Sequence, residues 1–160
     1  MDNERQYINM LIQILEKQSN TLSEVLLITK EQTEIANADK FDEDMFANTL
    51  SKKDVLIIRL NELDDGFASL YDKVRKQVKN NPEGYKKDIN TLQELIRRCT
   101  DLGNAIQTLE IRNRDKIAEC FGNKRQEYSA KQTAATVVGK YNATMRNGLT
   151  GSGYRFNQDK

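Results

Sequence analysis

Apolar side chains recur along this chain at the spacing of helices that lie along other helices. Between Lys52 and Val78 the positions Leu56, Leu60, Leu63, Phe67, Leu70 and Val74 step by four and three in alternation. That is the a/d seam of a coiled-coil-like helix, and no strand produces it. Six such side chains contribute roughly 1.5 to 3 kcal/mol each on full burial. Backbone ordering costs roughly 1 to 2 kcal/mol per residue over the whole stretch, so this helix needs neighbours. Val55, Ile57, Ile58 and Tyr71 lie off the seam and widen the apolar face, which predicts a partner on each side, as for the middle helix of a bundle.

Upstream, from Tyr7 to about Asn37, the seam Ile8, Leu11, Leu15, Gln18, Leu22, Val25, Thr29, Gln32 and Ala36 predicts a first long helix, with Ile12 and Leu26 broadening the stripe. Polar residues enter this seam toward its end. Such positions either fix register, as a buried Asn does in coiled coils, or face water where a bundle opens. Asn37 to Lys40 form a short connection, and short connections between long helices make antiparallel neighbours. Asp42 is a good N-cap for the second helix, and Phe41 can close on Phe46 as a hydrophobic staple. Ser51 with Asp54 offers a competing start, so a break near Asn48 to Ser51 is an alternative to one continuous helix. In the continuous case the seam runs back from Leu56 through Lys53, Thr49 and Phe46, and Lys53 is expected to snorkel its ammonium to water.

Asn80 to Gly84, which includes the chain's single proline, mark the clearest boundary. Asn81 can cap, Pro82 suits a first helical position and Glu83 suits the positive helix start. A third helix is predicted from Pro82 to about Phe121, with the seam Tyr85, Ile89, Leu92, Ile96, Cys99, Gly103 and Ile106 and a second stripe at Leu95, Leu102 and Leu109. Gly103 reads as a place where a bulky neighbour approaches. Beyond Leu109 the pattern fades, since Glu110 and Asn113 take seam positions before Ile117, and this end is expected to project past the bundle or fray. Residues 122–160 differ in character. Ala134, Val138, Tyr141, Met145 and Leu149 fall at helical spacing in a polar, Thr- and Ala-rich stretch, followed by Gly148, Gly151 and Gly153 and by Tyr154 and Phe156. A helix with so narrow a stripe is marginal alone, so it docks on its own body, docks on a partner, or stays disordered. The expected architecture is all-α: an elongated antiparallel three-helix bundle over residues 1–121, then a C-terminal amphipathic helix and flexible tail over residues 122–160.

Composition sharpens this picture. Charged residues make up 31% of the chain and Trp and His are absent, as suits long solvated helices. A net charge of +1 hides an asymmetry: residues 1–121 carry 18 Lys+Arg against 22 Asp+Glu, and residues 122–160 carry 7 against 2. The cations from Lys124 to Lys160 are spread thinly and lack a recognition-helix context, which argues against nucleic-acid binding. Cys99 and Cys120, about 32 Å apart on one helix, cannot bridge each other. Two free thiols suit a reducing cytosol. The start MDNERQYINM has no signal-peptide pattern and no apolar run approaches a membrane span. The expectation is a soluble, cytoplasmic protein. Without histidine the usual general base and commonest metal ligand are missing, and no calcium-binding loop or phosphate-binding glycine loop occurs. No enzyme activity, metal or cofactor is expected.

Several stretches, in their order and spacing, resemble the FlgN-type flagellar export chaperones. They are LIQILEKQ at Leu11 to Gln18, then Leu26 and Lys30-Glu31-Gln32, then the series Lys53, Leu56, Leu60, Leu63, Asp64, Phe67, Tyr71 and Val74, then Glu110, Arg112 and Asn113, then Tyr141 and Met145, with Phe156 near a basic terminus. The resemblance implies a cytoplasmic helical chaperone that holds hook-filament junction (hook-associated) proteins for the flagellar type III export apparatus, using its C-terminal segment. Val138, Tyr141 and Met145 would be the main partner-binding residues, with Ala134 and Leu149 extending the surface and Tyr128 in a lesser role. The alternative is a structural coiled-coil protein that self-associates through the same seams. The sequence leaves the oligomeric state open.

Overall fold

The structure is a computed structural model that describes residues 2–121. Three long helices, α1 (Asp2–Asn37), α2 (Glu43–Asn80) and α3 (Lys86–Phe121), carry the fold, with one turn of 3-10 helix, η1 (Glu83–Tyr85), before α3. Each long helix is about 55 Å in length at 1.5 Å per residue. No strand occurs among the described residues, and the arrangement is a three-helix bundle.

The helix at the centre is α1. Its backbone approaches both α2 and α3 closely, whereas α2 and α3 meet through long side chains such as Lys53 and Glu110. Every seam position of α1 from Ile8 to Ala36 is buried, and Ile8, Leu11, Leu15, Leu22 and Val25 have no exposed surface at all. Tyr7, Ile12, Ile14, Leu26 and Ile28 flank that seam and pack partly buried against the same core, so α1 meets water along one face only. The buried hydroxyl of Thr29 donates to the Val25 carbonyl at 2.7 Å, and Thr21 does the same to Lys17 at 2.8 Å. Bonding back along the helix lets these polar residues enter the core without an orphaned donor.

This overturns the expectation that α2 is the middle helix. Its seam is buried, apart from half-buried Leu63, and Ile57 joins it. Val55 and Ile58, which suggested a second partner face, are instead 59% exposed. Two outward β-branched residues do not make a second seam, and apolar side chains scattered on a surface are ordinary.

Contacts from α1 to α2 descend along α2: Lys73 lies over the Tyr7 ring, Ile14 packs on Gly66, Arg59 pairs with Glu24 and Thr49 bonds Gln32. Contacts from α1 to α3 ascend: Arg5 meets Asp88, Leu15 meets Cys99 and Thr33 meets Asn113. Ile14 packs over Gly66, where an added β-carbon would stand 3.4 Å from its Cδ1, at the edge of ordinary van der Waals contact. Gly103 is buried on the α3 seam.

Both connections use the chemistry their sequences suggest. Asp42 caps α2, its Oδ1 accepting from the Met45 amide at 3.0 Å, and the Phe41 and Phe46 rings close on each other at 5.5 Å. The helix runs unbroken through residues 48–51, so the competing start at Ser51 is not used. At the second connection Asn81 accepts from the Gly84 amide through Oδ1, and the 3-10 turn precedes α3, so α3 begins four residues later than Pro82. Arg5 secures this end, with its guanidinium 3.2 Å from Asp88, donating to the Gly84 carbonyl and lying over the Tyr85 ring. At the other end α3 neither projects nor frays before Ile117: Asn113 and Ile117 are buried. Cys99 is buried and Cys120 exposed, and the two do not form a disulfide.

If α1 is the central element, Leu15→Ala should destabilise the protein by about 2 to 5 kcal/mol. Ile58→Ser, on the outer face of α2, should change stability by no more than about 0.5 kcal/mol. Urea denaturation followed by circular dichroism measures both, and equal effects would remove α1 from the centre.

Candidate functional site

The sequence interrupts all three seams with polar residues, and the fold brings those nearest the first connection to one level, whereas Gln18 is buried further along α1. Gln32 on α1 lies a few residues before the first connection, with Thr49 a similar distance after it and Lys53 one turn further along α2. Lys53 on α2 and Glu110 on α3 are about equally far from the second connection. Helices of equal rise therefore place Gln32, Thr49, Lys53 and Glu110 side by side.

Lys53 is the hub of this layer. Its ammonium donates to Gln32 Oε1 and to Glu110 Oε1, both at 2.7 Å, tying α2 to α1 and α3 at once. Gln32 Nε2 donates to Thr49 Oγ1 at 3.0 Å, and the Thr49 hydroxyl donates to the Phe46 carbonyl. Alongside, Thr33 Oγ1 donates to Asn113 Oδ1 at 2.8 Å and Asn113 Nδ2 donates to the Thr29 carbonyl at 3.1 Å. The side chains of Lys53 and Glu110 are only 6% and 10% exposed. Lys53 therefore does not snorkel to water as expected: on the seam its stem points between α1 and α3, and the carboxylate of Glu110 and the amide of Gln32 receive the ammonium there. Of the two roles open to the polar seam positions, the buried and mutually bonded one is realised.

Burial pushes the pKa of Lys53 below the ordinary lysine value, and the charge and hydrogen bond of Glu110 pull it only part of the way back. Desolvation thus outweighs the pair, as is common for buried ion pairs. What the arrangement achieves is selection. A heptad slip would move the ammonium to an apolar level such as that of Phe46 and Ile117, whose side chains offer no acceptor, so the layer favours the register in which Gln32 and Glu110 receive it.

A second titratable group lies on α2. Partial burial, and then the neighbouring charge of Asp65, raise the pKa of Asp64, whose Oδ1 has no hydrogen-bond partner. No cluster of potential metal ligands occurs among the described residues, and none of their helices is long and apolar enough to cross a membrane.

No family model, curated protein or solved structure matches the chain. Tyr128, Ala134, Val138, Tyr141, Met145 and Leu149, the partner-binding residues expected from the sequence, all lie outside the described residues. The described residues contribute instead the polar layer. Its members were each visible as seam interruptions; their convergence would have emerged from laying the three seams side by side at equal rise.

Lys53→Met leaves the Glu110 carboxylate buried without its cation and should cost about 3 to 5 kcal/mol, whereas Lys53→Met combined with Glu110→Leu should be neutral or stabilising by about 1 to 4 kcal/mol. Chemical denaturation of both variants checks this, and a double variant as unstable as the single one refutes the assignment. The lowered pKa of Lys53 also sets a pH dependence. Between the folded value and the higher unfolded value the unfolded chain holds the extra proton, so the lysine's contribution to stability rises with pH across that window. The stability of the wild type relative to Lys53→Met should therefore increase on going from neutral into alkaline solution, which urea titrations at stepped pH will show.

Proposed function

We propose that this protein is a cytoplasmic chaperone of the flagellar type III export system, built on an elongated antiparallel bundle, that holds hook-filament junction proteins through its residues 122–160. The observation that carries the reading is the closure of the trunk. Along α1, α2 and α3 the seams fill one another within a single chain, so the remaining apolar stripe of the sequence, Ala134, Val138, Tyr141, Met145 and Leu149, has no vacant seam of the bundle to complete. A narrow stripe at helical spacing with no intramolecular seam suits an apolar helix of a partner. The resemblance to FlgN-type chaperones supplies the class of partner, and the order of contacts along α1 supports the antiparallel arrangement.

Holding such a partner would need no catalytic group. Ordering a marginal segment on contact gives binding whose affinity is reduced by the ordering cost, which keeps the complex releasable at the export apparatus. The same closure bears on self-association: a coiled coil formed through these seams would first have to open the bundle.

Tyr141→Ser with Met145→Ser should weaken binding to a purified hook-filament junction protein by at least about thirtyfold, since two central anchors are removed, with the thermal melt of the helices unchanged. Calorimetric titration and circular dichroism provide the two readouts. Undiminished binding by a chain ending at Phe121 would refute the role of the C-terminal segment. A chain found only as a dimer by light scattering, with a melting temperature that climbs with concentration, would favour self-association instead.

A further inference from the structure

We infer that the bundle is divided at its polar layer into a trunk and a tip, and that the tip opens as a unit while the trunk stays closed. This goes beyond the proposed export role and does not depend on it.

The apolar interior consists of two cores. The larger runs from Ile8 to Val25 on α1, from Leu56 to Val78 on α2 and from Tyr85 to Ile106 on α3. The smaller contains Ile35, Ala36, Phe46 and Ile117, with Phe41 and Leu50 packed against it. On every helix polar residues stand between the two: Thr29 and Gln32 on α1, Thr49 and Lys53 on α2, Glu110 and Asn113 on α3.

Such a boundary lowers the cost of separating the helices at that plane. Opening the bundle across an apolar level exposes hydrocarbon to water, which is unfavourable in proportion to area. Opening it down to the Lys53 layer returns an ammonium, a carboxylate and side-chain amides to water, and hydration recovers much of what their burial cost. On the trunk side Val25, Leu56, Leu60 and Ile106 stay buried against one another, so the opening has a place to stop. The tip's own cohesion is modest, since its buried apolar residues are few and come from the last turns of α1 and α3 and the first turns of α2. Its opening would uncover Phe46 and Ile117 and free the last turns of α3, from which the chain continues into residue 122.

Native-state hydrogen exchange of the full chain in rising, sub-denaturing urea tests this. Amides of the three tip segments, near residues 34–37, 46–50 and 114–118, should share one opening with a common urea slope shallower than that of the trunk and with protection about a hundredfold lower. One global opening with the trunk's slope would overturn the inference, and so would protection that falls amide by amide toward each helix end, which is simple fraying. Phe46→Ala should speed exchange in all three tip segments by at least about tenfold and leave amides near Leu15, Phe67 and Ile96 unchanged; an equal rise in the trunk counts against a separate tip. Lys53→Met with Glu110→Leu should merge the two slopes into one, and two slopes persisting in that variant would show that the layer is not the boundary. Should the double variant fail to fold, the wild type and Phe46→Ala decide the matter.

Discussion

A helix that is dry on two sides cannot exist alone, and α1 is such a helix. Its seam from Ile8 to Val25 is sealed from water, and the residues flanking that seam are half-buried on both sides. An isolated helix of this composition gains too little from its backbone hydrogen bonds to offset ordering, so its stability comes from the two neighbours that cover it. The other elements follow from this demand. Beyond the first connection α2 covers one flank, and beyond the second α3 covers the other. The hydroxyls of Thr21 and Thr29 bond along the helix itself, which satisfies these two donors within the covered faces.

The polar layer answers a different problem. Repeated leucine seams bury similar area in several registers, so packing alone distinguishes neighbouring registers weakly. Placing one ammonium where a carboxylate and an amide can reach it makes one register far better than the rest, at some expense in stability, because desolvation of Lys53 exceeds what Glu110 returns. The same layer interrupts the apolar core. Specificity and a weak plane are therefore two consequences of one substitution of charge for hydrocarbon.

The two ends of the bundle are held by unlike means. At the end where α1 begins, Arg5 reaches Asp88, the Gly84 carbonyl and the Tyr85 ring, while Lys73 lies over Tyr7, so polar and aromatic contacts tie all three helices together. At the opposite end an N-cap and a pair of phenylalanine rings set the direction of α2, and apolar contact alone holds Ile117 against the turn. A trunk closed in this way leaves partner recognition to surfaces outside its seams, which is the division of labour that the proposed export role requires.

Periodicity determined much of this molecule without reference to space. The seams of α1, α2 and α3, the Asp42 cap, the Phe41–Phe46 staple and the boundary at Pro82 are local patterns, because each depends on residues within a turn or two of one another. The partner-binding residues expected at Tyr128 to Leu149 rest on sequence alone, since they fall outside the described residues. Tertiary structure decided which helix is central, because covering two faces depends on how far apart the neighbours sit and not on how many apolar residues a stretch contains. It also decided the state of Lys53. The stretch around that lysine is equally compatible with snorkelling to water; only the arrival of Gln32 and Glu110 from distant positions makes burial tolerable, and no pattern within α2 could announce them.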